Sequence, residues 1–209
     1  MLNSAEVRWF FRGEVPAVVS DWFCADKDLE VESRDDQYLV FSGSESVGVK
    51  LRDFSDPKGG KFEVKAAVGA AEPLTITSTV HGRSDTWVKW SFGTKGFEPW
   101  VKEIGGSEPT WVTAGKERRL RKFDLDSSTV VEVPVAERPD DGCSAELVRL
   151  KVGDDVWWTF GFESFGPRDR VRGNLRAVLG HWFKEPAPIT LDVSSSVAYS
   201  AWAANFLGT

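Results

Sequence analysis

The run that most constrains the fold is the first strand-like stretch, Ser4-Ala-Glu-Val-Arg-Trp-Phe-Phe-Arg12, which leads into Gly13-Glu-Val-Pro16. Side chains alternate across a strand. Ser4, Glu6, Arg8 and Phe10 therefore share one face, and Ala5, Val7, Trp9 and Phe11 share the other. An acid and a base two positions apart, backed by an apolar stripe, suit a wall between a polar interior and a covered exterior. One such strand is weak evidence, because a surface ion pair on an amphipathic strand looks the same. The pattern recurs, however. Val47, Val49 and Leu51 oppose Gly48, Lys50 and Arg52, and Phe62, Val64 and Ala66 oppose Lys61, Glu63 and Lys65.

The remaining segments fit a strand-rich chain. Strands are expected at Arg34–Phe41, Leu74–Val80, Trp87–Phe92 (carrying Lys89), Cys143–Leu150 and Trp157–Glu163. A hairpin is expected where Thr129–Val135 returns on the stretch before it. Turns are expected at Ser42-Gly-Ser44, Pro57-Lys-Gly-Gly60 and Asp140-Asp-Gly142. Phe97–Pro109 reads as loop or short helix. Three helices are expected. Pro16–Phe23 is opened by its proline. Arg168–Phe183 carries Val171, Leu175, Val178, Leu179 and Trp182 at helical spacing, although Gly173 and Gly180 weaken it. Ser194–Leu207 starts with serine caps and carries Val197, Tyr199, Trp202 and Phe206. The basic run Lys116–Phe123 is read as a strand with Arg119 and Arg121 facing inward, rather than Arg118 and Lys122.

Many strands joined by short turns indicate a closed sheet or a sandwich. The 209 residues form one domain, 1–209, with no linker or low-complexity tract. A net charge of −6 argues against a general nucleic-acid or membrane-surface binder. Cys24 and Cys143 lack metal-ligand spacing and are expected to be reduced, in a cytoplasmic protein. His81 and His181 stand alone, which leaves little room for a histidine-based site. Bases concentrated inside an acidic chain point to a compact polyanion as ligand, with phosphate the obvious candidate. Acids scattered among them would suit a divalent cation bridging the phosphates.

The order of these residues resembles the CYTH, or triphosphate tunnel metalloenzyme, superfamily. Its opening Glu-x-Glu-x-Lys signature is similar to Ser4-Ala-Glu6-Val-Arg8, and its Gly-acid-apolar-Pro turn to Gly13–Pro16. Val49-Lys50-Leu-Arg52 and Phe62-Glu63-Val-Lys65 resemble its next basic strands. The stretch 116–123 matches its central basic strand in character only. Ser144-Ala-Glu146, Gly161-Phe-Glu163 and the segment 192–202 resemble its closing portion. The resemblance spans nearly the whole chain, with every motif degenerate. It implies a mainly β fold, an eight-stranded antiparallel closed barrel forming a tunnel, with helices packed outside. It implies Mg or Mn held by Glu6, Glu63, Glu146 and Glu163, with Glu6 and Glu146 catalytic. It also implies a triphosphate or other small phosphorylated ligand on Arg8, Lys50, Arg52, Lys65, Lys89, Arg119 and Arg121. No nucleic acid beyond a nucleotide and no membrane partner is implied.

Two departures bear on mechanism. Ser4 and Ser144 stand where the family carries acids, which weakens a metal site. Binding is thus favoured over turnover, and weak or absent triphosphatase activity is expected. The alternatives are an active Mg- or Mn-dependent triphosphatase, a non-catalytic barrel for another small ligand (a lipocalin-like apolar one included), and a barrel whose internal charges merely neutralise one another.

Overall fold

The structure, a computed structural model, describes residues 2–41, 44–52, 60–93, 110–125 and 129–207. Its strands are β1 (Leu2–Arg12), β2 (Glu32–Val40), β3 (Val47–Arg52), β4 (Lys61–Ala67), β5 (Glu72–Thr77), β6 (Val80–Gly93), β7 (Thr110–Asp124), β8 (Val131–Val133), β9 (Gly142–Val152) and β10 (Asp155–Gly166). Helix α1 spans Ala17–Cys24, α2 Val171–Trp182 and α3 Tyr199–Leu207, with a 3-10 turn at Val193–Ser195. Neighbouring strands run antiparallel in the order β1-β10-β9-β7-β2-β3-β4-β6, and β6 pairs back to β1. The sheet is therefore a closed eight-stranded barrel. β5 and β8 lie off this ring, paired to β6 and β7 respectively.

Closure gives the alternation in β1 its meaning. Ala5, Val7 and Trp9 face out and join Phe160, Phe162, Cys143, Ala145 and Leu147 of β10 and β9 in an apolar layer beneath α1 and α2. The predicted stripe of α2 is buried there, at Val171, Leu175, Val178, Leu179 and Trp182. Gly173 and Gly180 face open space, so they lower helix propensity without disturbing the packing.

A second, smaller core fills one end of the barrel interior. Phe10, Tyr38, Val112, Ala114, Val148, Leu150 and Val152 turn inward there, and Trp202 and Ala203 of α3 pack onto them. Trp202 stacks on Phe10 with ring centroids 4.9 Å apart, and Tyr199 stacks on Tyr38 at 5.7 Å. Helix α3 lies outside the sheet and closes that mouth. The expected long final helix is instead broken at Ser196–Ala198, where Ser196 bridges to Trp9 and the Val197 amide donates to the Arg8 carbonyl. Leu74–Val80 is likewise two strands separated by a turn, not one. The loop expected at Phe97–Pro109, most of the turns at 42–44 and 57–60, and the side chain of Phe206 lie outside what is described. No described helix is long and apolar enough to cross a membrane.

Candidate functional site

Above the inner apolar core the barrel interior is charged. Paired residues in a ladder share a face, and the registers place the polar side chains row by row. Asp85, Glu6, Glu163 and Ser144 form one row across β6, β1, β10 and β9. Lys89 and Lys65 with Gly48 form another, and Ser91, Glu63, Lys50 and Tyr38 a third. Arg52 stands beside Asp36, and Arg34 beside Lys116.

These side chains neutralise one another extensively. Lys65 Nζ lies 2.8 Å from Glu6 and 3.0 Å from Glu163. Lys50 and Arg52 both reach Glu63, at 3.0 and 3.3 Å. Arg8 meets Glu146 at 2.8 Å, and Arg118 meets the other oxygen of that carboxylate at 2.8 Å. Gly161 lies between Arg8 and Glu146 in register. A Cβ there would come within 3.0 Å of the Arg8 side chain, so only glycine lets the arginine cross β10 to reach its partner.

Burial would raise Glu63, but Lys50 and Arg52 outweigh it and hold the acid down at about 2. Burial likewise opposes the charge on Glu146, which Arg8 and Arg118 keep well below the usual carboxylate range. Lys65 is disfavoured by burial, yet Glu163 and Glu6 keep its ammonium above the ordinary lysine range.

Glu6, Arg8, Lys50, Arg52, Glu63, Lys65, Lys89, Glu146 and Glu163 all face this interior. Arg119 and Arg121 do not, which corrects the expected phase of β7. Arg119 stands opposite Leu147 and Arg121 opposite Ala145, both on the outer face. Arg121 binds Glu132 and the Phe23 carbonyl, and its guanidinium lies 4.5 Å from the Trp182 ring centroid. The phase is set by Phe123 and Leu125, which belong to the outer core. Arg118 is the inward residue. The sequence reading also missed Arg34, Asp36, Tyr38, Asp85, Lys116 and Tyr199. The period-two test already applied to β1 picks out Arg34, Asp36 and Tyr38 as one face of β2.

A cavity of about 60 Å3 opens among these groups, lined by Lys50, Lys65, Lys89, Glu6, Glu63 and Trp87, with Tyr199 and Ser200 of α3 on its wall. Lys89 feels Glu63 and Glu163 but closes no ion pair with another described residue. Among the described residues no three carboxylate, histidine or cysteine side chains converge as a cation cage requires. Glu6 and Glu163 are opposite in register, yet Lys65 occupies the space between them. Ser4 points inward, buried, with no hydrogen-bond partner for its hydroxyl among the described residues.

No protein-family model matches the chain, and no curated protein does either. Solved structures do match. A conserved hypothetical protein from Pyrococcus furiosus aligns over 95% of this chain and 98% of its own, at 10% identity and a TM-score of 0.52. The PH1012 protein from Pyrococcus horikoshii OT3 aligns over 94% and 98%, at 10% identity and a TM-score of 0.49. HpAC1 from Hippeastrum, a putative adenylyl cyclase with a dominant triphosphatase activity, aligns over 100% and 97%, at 13% identity and a TM-score of 0.45. The first of these shows a fold shared along essentially the whole chain, and at such identities the likeness is one of fold alone.

Proposed function

We propose that the barrel binds a small phosphorylated anion, a triphosphate or a relative of it, in the cavity bounded by Lys50, Lys65 and Lys89, with weak or absent hydrolysis. The observation that carries this reading is Lys89, a cation on the cavity wall with no ion pair to a described residue. Around it the bases Arg8, Arg34, Lys50, Arg52, Lys65, Lys116 and Arg118 are matched in number by the acids Glu6, Glu32, Asp36, Glu63, Asp85, Glu146 and Glu163, so Lys89 is the cation left over. Uncompensated positive charge held in a low-dielectric wall attracts an anion strongly. Phosphate oxygens then receive the ammonium and guanidinium donors that now rest on carboxylates.

The donor set fits an anion better than a cation. Mg or Mn at Glu6 and Glu163 would have to displace Lys65, and a carboxylate at position 4 or 144 is missing. No step of the function proposed here runs through a metal. A barrel that is purely structural is favoured by one specific observation, the pairing of Glu6, Glu63, Glu146 and Glu163 with bases.

A melt with tripolyphosphate, with and without Mn, separates the two readings. At one hundred times its dissociation constant a ligand stabilises by ~2.7 kcal/mol, a shift of roughly 5–10 °C for a chain of this size. Lys89→Ala should weaken binding by ~1.5–3 kcal/mol, while Lys27→Ala, in an exposed pair with Glu132 on the outside, should not. No shift with wild type, or equal losses in both variants, would leave the structural reading standing.

A further inference from the structure

Four bases from three strands surround the carboxylate of Asp36, which is fully buried. Lys116 Nζ lies 2.9 Å from Oδ2, and Lys50 Nζ lies 3.5 Å from the same oxygen. Arg34 and Arg52 each bring Nε to 3.5 Å from Oδ1. Three of the four have another acid to lean on. Arg34 also binds Glu32, and Lys50 and Arg52 share Glu63. Lys116 has no second carboxylate among the described residues. Its other neighbours are the Tyr38 hydroxyl, the ring of Tyr199 of α3 with its centroid 3.9 Å away, the Tyr38 ring at 5.0 Å, and Leu150 opposite it on β9. Arg8 of β1 stacks on the same Tyr199 ring at 4.7 Å, and Arg118, the next inward residue of β7, is engaged by Glu146 and shares Glu32 with Arg34. Arg34, Lys50, Arg52 and Lys116 thus face Glu32, Asp36 and Glu63, one positive charge too many for the acids present.

An arginine does not shed its proton in a protein. Between the two lysines, Lys116 is the deeper, its side chain 3% exposed against 20% for Lys50. We propose that an anion entering the cavity draws a proton onto Lys116, so that ligand binding and protonation of this lysine are one linked event. The inference rests on the anion-binding reading above. Three walls connect the two places. Lys50 shares the Asp36 oxygen with Lys116 and lines the cavity, and Tyr38 and Tyr199 touch both. The charged Lys116 donates to the Tyr38 hydroxyl, which itself donates to Asp36 Oδ2. Beside a neutral Lys116 that hydroxyl can turn to the amine and leave Asp36 to Lys50, Arg34 and Arg52. Burial is the main cause that pulls the Lys116 ammonium down to about 7, against Asp36 and with help from Lys50 and Arg34. An added negative charge nearby reverses that penalty. By linkage, proton uptake then strengthens anion binding by the same factor.

The probes are sulfate, which carries no titratable proton near neutral pH, and tripolyphosphate. Calorimetry at pH 8 in two buffers of different ionisation enthalpy counts the protons taken up with each bound anion. For sulfate, wild type should take up close to one, and its affinity should fall by up to about tenfold per pH unit above neutrality. Lys116→Met, which holds no proton, and Lys116→Arg, which never loses one, should both show almost no uptake at pH 8 and an affinity that stays level above neutrality, where Asp85 is already ionised. The Lys116 side-chain resonance in unliganded protein should titrate near neutrality and move upward with sulfate. Sulfate binding with no uptake, or with uptake equal in wild type and Lys116→Met, overturns this inference alone. Failure of both probes to bind at pH 6 overturns the anion-binding reading, and this inference with it.

Discussion

Asp85 stands opposite Glu6 in the ladder, and two carboxylates so placed in a covered site repel. Burial, and then Glu6, raise the Asp85 carboxyl to about 6. Above that pH the acid is charged and opposes an anion in the neighbouring cavity; below it the opposition disappears. Asp85→Asn should therefore strengthen tripolyphosphate binding at pH 8 by ~1 kcal/mol, roughly fivefold. At pH 5 it should change little. Titrating both proteins at the two pH values checks the sign, and a loss of affinity at pH 8 would mean that Asp85 supports the site instead. Asp85 is also instructive about what one residue reveals. It sits in Arg83-Ser-Asp-Thr-Trp, ahead of the aromatic run, and nothing local distinguishes it from a loop acid. Only closure of β6 onto β1 brings it to Glu6.

At the scale of elements, β1, β3 and β4 were legible because each has one charged and one apolar face, so the period of two fixes the inward side at once. β7 defeats that test. Lys116, Arg118, Arg119, Arg121 and Lys122 place charge on both faces, and the outward Arg121 is accommodated by stacking on Trp182 and by its fork on Glu132. Such a site needs β8, the next strand in the chain, and also α2, whose Trp182 lies some sixty residues beyond Arg121. The α2 stripe was legible from spacing alone. The break before α3 was not, because it answers to β1, nearly two hundred residues earlier. The corrected phase of β7 makes a test of its own. Arg118→Met, which removes an interior cation that lies off the cavity wall on Glu146, should weaken anion binding by ~1 kcal/mol through the lost positive charge. Arg121→Met should lower thermal stability through the lost stacking and hydrogen bonds and leave binding unchanged. The reverse outcome would put Arg121 back inside.

For the whole molecule the buried lysines set how stability follows pH. The folded-state pKa of Lys116 lies near 7, below the ordinary lysine value. Between about 7 and 10 the unfolded chain therefore holds a proton that the folded chain has released, and stability rises with pH in that window. Lys50, also lowered by burial, adds in the same sense. Urea unfolding between pH 7.5 and 9.5 should show a positive slope of up to ~1.4 kcal/mol per pH unit from Lys116, and Lys116→Met should reduce it. The closed ring has a further consequence, one of timing. β1 is held by β6 on one edge and β10 on the other, so the first strand made needs the last. On a ribosome adding ~5–20 residues per second, Trp9 and Phe10 would stay unsheltered until at least residue 166 has emerged, and Phe10 until Trp202 has followed, many seconds later. For that interval Glu6 and Arg8 have a second use, as charged residues on an unpaired strand that keep one nascent barrel from zipping onto another.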